Sequence, residues 1–192
     1  MAPKHIYLCR HGETEWTLSG QHTSSTDLEL TKNGIHEAKC LKKALKGIHF
    51  DSIFSSPLKR ATETAKLAGY PAFEVEEGLF EWRYGKYEGM TSKRIKESDP
   101  NWNIFEKGAP EGESVEDVQE RTERLCAKLR ELEGNVLLFS SGHISRAIGA
   151  VWAGMPVHHG KYLVLSTASL SILGYEHDYP VIRCWNNLSH LH

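Results

Sequence analysis

The 192-residue chain has no long apolar run and little excess charge. Its 23 Lys and Arg are balanced by 25 Asp and Glu, which gives a formal net charge of −2. No stretch approaches the roughly 18 apolar residues of a transmembrane helix, and no basic block marks a surface for nucleic acid or anionic lipid. We therefore expect neither a membrane span nor a nucleic-acid partner. An anionic ligand would need a local cluster of Arg and His.

Cysteines are also few, and none has the C-x-x-C spacing of a zinc site or of a disulfide framework. The four are Cys9, Cys40, Cys126 and Cys184. The first residues carry no apolar signal core, and the chain shows no internal repeat, low-complexity tract or linker. We expect one domain over residues 1–192 in a reducing, cytoplasmic compartment, and the sequence leaves the oligomeric state open.

The most informative stretch lies near the beginning of the chain. Residues 5–9 are an apolar run of β-formers, which predicts a short buried strand, and Arg10, His11 and Gly12 follow it at once. A guanidinium offers phosphate a planar fork of donors, an imidazole can act as a nucleophile near neutral pH, and glycine lets backbone N–H groups approach a ligand. This order indicates an anion site, although a lone histidine at a strand end is as often structural.

Two later segments lead to similar side chains. Residues 51–55 predict a second strand, and Ser56 and Pro57 predict the N-cap and first residue of a helix. Arg60 then falls in the first helical turn, where N–H groups favour an anion. Residues 135–139 predict a fully buried strand, and His143 follows it at the start of another helix.

The rest of the chain continues this alternation of strands and helices. A third strand is predicted at residues 71–75, and antiparallel strands at 168–175 and 180–185. Helices are predicted after Thr31, at residues 91–98, and from the cap at Ser114 to Gly134. The pattern predicts an α/β fold with a mainly parallel central sheet and helices on both faces. Such sheets bind ligands beyond the carboxyl ends of their strands, where His11, Arg60 and His143 are all expected.

Four segments in this order resemble the blocks of the histidine phosphatase superfamily, the phosphoglycerate-mutase-like proteins. They are RHGET at residues 10–14, SSPLKRA at 55–61, the aromatic and glycine-rich segment 79–90, and Gly142-His143. The resemblance implies the three-layer α/β/α fold of that superfamily. It also implies site roles: a phosphoryl group carried on His11, bound by Arg10, Arg60 and His143, with Glu81 as the acid/base.

The charges of these residues suit a reaction that needs no metal ion and no cofactor. Two guanidiniums and an imidazole can neutralise a phosphomonoester dianion, and neighbouring cations lower the pKa of His11, which keeps it neutral for attack. A carboxyl beside the phosphate retains its proton more readily, so Glu81 can protonate the leaving alkoxide and then activate water. We therefore expect a small-molecule phosphate ester as the ligand.

Two features favour a phosphatase over a cofactor-dependent mutase. Thr17 stands where those mutases carry Asn, and only twenty residues separate Arg60 from Glu81, without the long insertion that mutases have there. Segments 19–23, 81–90, 102–104, 142–146 and 175–177 look like the sedoheptulose-1,7-bisphosphatase type of sugar phosphatase found in yeasts. That similarity implies that Ser56, Tyr84, Arg146 and His177 lie around the sugar and its distal phosphate. Thr14, Gln21 and Thr23 are further residues expected to bind the substrate. At residue 22 the chain has His where that group commonly has Tyr.

Other functions remain open at this point. A mutase or a broad-specificity phosphatase fits the same residues, and a phosphate-binding interaction module would be expected to have lost His11, Arg60 or Glu81. Metal-dependent hydrolysis is a further alternative, because the chain has 11 His. The pairs His158-His159 and His190/His192, however, lack H-E-x-x-H spacing.

Overall fold

A mixed six-stranded sheet lies at the centre of the computed structural model, which describes residues 5–192. The strands in chain order are β1 (Ile6–Arg10), β2 (Ser52–Ser55), β3 (Glu74–Val75), β4 (Val136–Ser140), β5 (Leu170–Glu176) and β6 (Tyr179–Asn187). Their order in the sheet is β3-β2-β4-β1-β5-β6. The first four are parallel to one another, whereas β5 pairs antiparallel with both β1 and β6. The predicted parallel sheet with an antiparallel pair at the end of the chain is confirmed.

Helices connect the strands within residues 5–192. They are α1 (Glu15–Ser19), α2 (Lys32–Ala44), α3 (Lys59–Leu67), α4 (Ser92–Ser98), α5 (Ile104–Lys107), α6 (Val115–Glu131) and α7 (Gly142–Trp152). Short 3-10 turns lie at Glu77–Leu79, Gly85–Tyr87, Val157–Tyr162 and Ser189–Leu191. The predicted caps of two helices form: Thr31 accepts from Gly34 N, and Ser114 forms a capping box with Asp117.

The alternation of side chains along β1 and β4 produces the three layers. Ile6, Leu8, Val136 and Leu138 point to one face, where they join apolar residues of α6 and α7. Cys9, Leu137 and Phe139 point to the other face, against α2 and α3. Every residue of β4 is buried, as expected for a strand covered on both faces. At about 1.5–3 kcal/mol for each large apolar side chain removed from water, this strand anchors the core.

Several local predictions are wrong. The helix predicted to begin at Pro57 begins two residues later, because Lys59 N donates to Asp27 Oδ1 at 2.8 Å and Asp27 therefore caps the helix from another loop. The third strand is only two residues long. Helices α1 and α5 form in stretches for which no helix was predicted. The three- and four-residue spacing of apolar side chains along α2 predicts a buried stripe that begins at Ile35, but Ile35 is exposed, and Gly34 packs inward instead.

Membrane-spanning helices and the state of the cysteines can both be read from the structure. In the part of the chain that the structure describes, no helix is long and apolar enough to cross a membrane. All four cysteines lie in that part, and their thiols are free.

Candidate active site

The carboxyl ends of three adjacent parallel strands bring the predicted site together. His11 follows β1, Arg60 lies in the first turn of α3 after β2, and His143 lies in the first turn of α7 after β4. A backbone bond from His11 N to Ser140 O, 2.9 Å long, joins the ends of β1 and β4 directly. Because neighbouring parallel strands end at the same edge of the sheet, residues far apart in the chain become neighbours here.

A cavity of about 250 Å³ opens at this edge of the sheet. Its wall combines groups predicted to bind phosphate with aromatic and polar side chains of the loops around them. The residues that line it are Arg10, His11, Trp16, Thr17, Gly20, Gln21, His22, Thr23, Glu81, Tyr84, Ser92, Gly142, His143, Arg146 and Leu165. The size suits a small ligand with several polar groups.

His11 is held as a neutral imidazole in one tautomer. It is 3% exposed, and Nδ1 lies 2.7 Å from the carbonyl oxygen of Gly12. Since a carbonyl oxygen only accepts, Nδ1 must carry the proton and Nε2 retains its lone pair. Burial, together with the charges of Arg60 and Arg10, lowers the pKa of His11 well below its ordinary value of 6.5. Nε2 is therefore a nucleophile in neutral and mildly acidic solution.

Two guanidiniums lie close to this imidazole, that of Arg60 fully buried and that of Arg10 half-buried. Arg10 Nη1 donates to Leu165 O at 2.6 Å, and Arg60 donates to the backbone carbonyls of Thr23, Ser24 and Thr26. The Nε of each arginine is buried without a hydrogen-bond partner among residues 5–192. Unsatisfied buried cationic donors are costly, and an anion is the partner that such donors bind best. Burial lowers the pKa of both guanidiniums.

Arg60 does not line the cavity itself. It is fully buried and is held by carbonyls of the loop that contains Thr23, while its charge still acts on His11. Arg10, by contrast, lines the cavity and packs against Gly142, where a Cβ atom would lie 3.3 Å from the Arg10 guanidinium carbon. In this structure Arg10 is thus the nearer of the two cations to a ligand.

Glu81 accepts three backbone hydrogen bonds, two of them from the N-terminus of α7. Its carboxylate receives Trp82 N at 2.9 Å, Ile144 N at 2.8 Å and His143 N at 3.0 Å, and the residue is 4% exposed. The free N–H groups and positive dipole end of a helix favour an anion at this place. Here that anion is the side chain of Glu81, which is fixed on the wall of the cavity beside His143.

His143 is also neutral, but its tautomer is the opposite of that of His11. Its Nδ1 lies 2.6 Å from the hydroxyl of Tyr84. Burial, Arg146, His22 and Arg10 lower the pKa of His143 well below 6.5, and burial raises the pKa of Tyr84 well above 10. We assign the proton of this hydrogen bond to the Tyr84 phenol, which donates to Nδ1, so that Nε2 of the neutral His143 carries a proton that it can donate to a ligand.

The outer part of the cavity contains three further residues that the sequence predicted. Arg146 donates from Nε to Gly160 O at 3.0 Å and from Nη2 to Lys161 O at 3.1 Å, and its guanidinium lies over the ring of Phe105. Gln21 donates to Gly89 O, and Thr23 donates to Gln21 O. All three line the cavity.

Three predicted substrate residues are not brought to the cavity. Thr14 is fully buried and caps α1 by accepting from Thr17 N, and Ser56 is fully buried with its hydroxyl next to Leu58 N. The topology of the sheet places His177 away from the cavity, contrary to the expectation. It lies in the turn between β5 and β6, and β5 runs antiparallel to β1 with Leu170 opposite Cys9 and Leu173 opposite Ile6. The β5–β6 turn therefore lies at the end of the sheet opposite to His11.

Other lining residues had no clear sequence signal. His22 packs against the rings of Tyr84, Trp102 and His143 at centroid distances of 4.8, 5.2 and 5.6 Å, and burial lowers its pKa to about 4. Its departure from the common Tyr was the only hint. Leu165 reaches Arg10 through a backbone oxygen, a contact that any residue type can make.

A neutral imidazole beside two guanidiniums, at the carboxyl edge of an α/β sheet, is the arrangement expected of a protein that binds phosphoryl groups. The histidine phosphatase superfamily (branch 1) matches residues 6–188, and the chain belongs to that family.

Relatives and solved structures agree with this assignment. The chain is 40% identical over 176 residues to an acid phosphatase of Mycobacterium tuberculosis, covering 90% of this chain and 87% of that protein. It is 32% identical over 185 residues to the sedoheptulose 1,7-bisphosphatase of Saccharomyces cerevisiae, covering 78% and 68%. The solved structure of an open reading frame of M. tuberculosis matches with a TM-score of 0.89 and 37% identity, covering 95% of this chain and 97% of that one. The protein is thus a phosphatase with the α/β fold of its family.

Proposed function

We propose that the protein hydrolyses phosphomonoesters of small metabolites through a phosphohistidine on His11, without a metal ion. The observation that carries this proposal is the state of His11, which is buried, neutral and bonded through Nδ1 to Gly12 O, so that Nε2 is the nucleophile. The lowered pKa also fits the name of the M. tuberculosis relative, an acid phosphatase, because the imidazole stays neutral in mildly acidic solution.

In the first step, His11 Nε2 attacks phosphorus and the bond from phosphorus to the ester oxygen breaks. Arg10 and Arg60 stabilise the charge on the transferring group, and His143 Nε2 donates to one of its oxygens. Glu81, on the cavity wall beside His143, acts as the general acid and passes a proton to the leaving alkoxide. The products of this step are the alcohol and phosphohistidine.

In the second step, water replaces the alcohol. Glu81, now a carboxylate, takes one proton from the water while the oxygen attacks phosphorus and the P–N bond breaks. Inorganic phosphate leaves, and His11 regains its lone pair on Nε2. The net reaction consumes one ester and one water and yields one alcohol and one phosphate. Glu81 gives up one proton in the first step and regains one in the second.

We further propose a sugar phosphate or sugar bisphosphate, such as sedoheptulose 1,7-bisphosphate, as the substrate. Arg146 supports this, because it adds a cation to the outer wall of the cavity while Nε and Nη2 bond to backbone carbonyls. Gln21, Thr23 and Tyr84 add groups that can bond to hydroxyls. The similarity to the yeast bisphosphatase points the same way.

The test measures phosphate release in EDTA from sugar phosphates, sugar bisphosphates and 3-phosphoglycerate. Wild-type enzyme quenched during turnover should carry an acid-labile, alkali-stable phosphoryl label, and His11→Ala should carry none and lose at least ~10³-fold in kcat. Activity that needs an added metal ion, or wild-type turnover by His11→Ala, would contradict the mechanism. Conversion of 3-phosphoglycerate faster than hydrolysis would favour a mutase.

A variant of Arg146 tests whether the protein is a bisphosphatase or a general phosphatase. Arg146→Ala should lower kcat/KM for a sugar bisphosphate about 10- to 100-fold, the range of a charge-assisted hydrogen bond, and change that for a monophosphate little. Arg124→Ala, which removes a cation from an exposed face of α6, is the control. Equal losses on both substrates would remove the support for a second phosphate.

A further inference from the structure

A buried ion pair lies behind the segment that carries Glu81. Arg121 of α6 donates from Nε to Glu113 Oε1 and from Nη2 to Glu113 Oε2, both at 2.9 Å. The two side chains are only 12% and 11% exposed, and neither residue lines the cavity at His11. A bidentate pair with this geometry holds both side chains in one orientation.

The ion pair also contacts the backbone on both sides of Glu81. Arg121 Nη1 donates to Gly78 O and to Phe80 O, each at 2.9 Å. On the other side, Glu113 Oε2 accepts Arg83 N, and Glu113 O accepts Trp82 Nε1, again at 2.9 Å each. The segment is therefore fixed one residue before Glu81 and at the two residues after it.

These contacts leave the Glu81 backbone little freedom. The segment has no long regular helix or strand to hold it, since only short 3-10 turns lie at Glu77–Leu79 and Gly85–Tyr87. Packing is also tight at Gly112, where a Cβ atom would lie 2.1 Å from Arg83 O. In a loop without regular secondary structure, such side-chain contacts add to the bonds that the Glu81 carboxylate accepts from α7 and help to keep the carboxyl in place.

We infer that Glu113 and Arg121 are positioning residues, which set where the Glu81 carboxyl meets the leaving oxygen. The inference rests on the proposed role of Glu81 as general acid. Geometry matters here because proton transfer needs the donor within hydrogen-bond distance of the leaving oxygen, and a displacement of about 1 Å can cost about 10²-fold in rate.

The leaving group supplies a readout that a purely structural role would not change. An alkyl phosphate releases a basic alkoxide that needs a proton, whereas a nitrophenyl phosphate releases a stable anion that needs little help. Misplacement of Glu81 therefore lowers kcat/KM for the alkyl ester selectively. Loss of phosphate binding or partial unfolding lowers kcat/KM for both esters by the same factor.

The experiment compares Arg121→Lys with Glu81→Gln on both esters. Lysine keeps the charge but carries its three N–H donors on one atom, so it cannot reproduce the two-atom bond to the Glu113 carboxylate together with the bonds to Gly78 O and Phe80 O. We expect Arg121→Lys to lower kcat/KM about 10-fold for the alkyl ester and less than about 3-fold for the aryl ester. Competitive inhibition by inorganic phosphate should be unchanged. Arg124→Lys, one turn away with its side chain 71% exposed, is the matched control.

Double variants and a second position keep the inference falsifiable. Arg121→Lys should change the ratio between the two esters little in a Glu81→Gln background, because the group that it positions is already lost. Glu113→Gln, which keeps the shape of the side chain, should shift the ratio in the same direction if Arg121→Lys fails to fold. Equal losses on both esters in folded variants would overturn the positioning role. If Glu81→Gln lowers kcat/KM equally for the alkyl and aryl esters, Glu81 is not the general acid and that part of the proposed function is wrong.

Discussion

Two histidines of the site differ in the nitrogen that carries the proton, and their partners decide this. His11 Nδ1 faces a carbonyl oxygen, which forces a proton onto that atom, whereas His143 Nδ1 faces the hydroxyl of Tyr84, which supplies one. Both imidazoles are neutral because burial lowers their pKa values. One ring is therefore prepared to attack and the other to donate.

This difference predicts the effect of Tyr84→Phe. The change removes the donor to His143 Nδ1, so the proton can move to Nδ1 and leave Nε2 without one. We expect kcat/KM to fall about 10- to 100-fold, the usual cost of losing a hydrogen bond that orients a functional histidine. Steady-state kinetics on a monophosphate, with nitrogen chemical shifts of His143, would measure both parts. An unchanged tautomer with unchanged activity would contradict it.

At the scale of elements, the N-terminus of α2 presses against the loop that follows His11. A Cβ atom on Gly34 would lie 2.1 Å from Glu13 O, and one on Gly12 would lie 2.4 Å from Gly34 O. Thr31 caps α2 and also donates to Glu13 Oε1 at 2.6 Å, while Glu37 accepts Glu13 N. Because Gly12 and Gly34 have no side chains, the backbone of α2 can pack directly against the backbone of the loop that follows His11.

Gly34→Ala should disturb both stability and turnover. The added methyl group meets backbone rather than a flexible side chain, so the loop or the helix must shift. We expect the free energy of unfolding to fall by about 1–3 kcal/mol, as for overpacked sites, and kcat to fall more than about 10-fold because the loop carries His11. Denaturant unfolding and steady-state kinetics measure the two effects.

Lys39→Ala, on the exposed face of α2, is the control and should leave kcat unchanged. A Gly34→Ala enzyme with wild-type kcat would show that the catalytic loop does not depend on this contact.

At the scale of the whole molecule, buried histidines make stability depend on pH. Burial is the largest cause that lowers the pKa of His11, His143 and His22, the last to about 4, below the ordinary 6.5. Above pH 6.5 these rings are neutral whether the chain is folded or not. As pH falls below 6.5, the unfolded chain binds protons that the folded protein refuses, so the free energy of unfolding decreases.

The unfolding midpoint should therefore fall between pH 7 and pH 5, before carboxylates titrate. His22→Phe removes one of these rings, so its midpoint should fall less steeply over that range. His49→Phe, at an exposed side chain, is the control for replacing a histidine by phenylalanine. Thermal unfolding at several pH values measures this, and identical slopes for His22→Phe and wild type would contradict the assignment.

Local features of the sequence were sufficient for much of the fold. The run of apolar residues in β4 and the capping box of α6 act within a few residues, so their structure follows from local propensity and burial. The order of strands and helices was enough to predict that His11, Arg60 and His143 share one edge of the sheet. The family and its fold, expected from four short segments, are confirmed.

Contacts between distant parts of the chain decided the rest. Asp27 caps α3 in place of Ser56, the loop carbonyls at Thr23–Thr26 hold Arg60 behind the cavity, and the antiparallel direction of β5 carries His177 to the opposite end of the sheet. The sequence by itself determined which side chains could perform phosphoryl chemistry and on which strands they lie. Only the tertiary structure decided which of them face the cavity and in which protonation state, because burial and hydrogen-bond partners depend on residues far away in the chain.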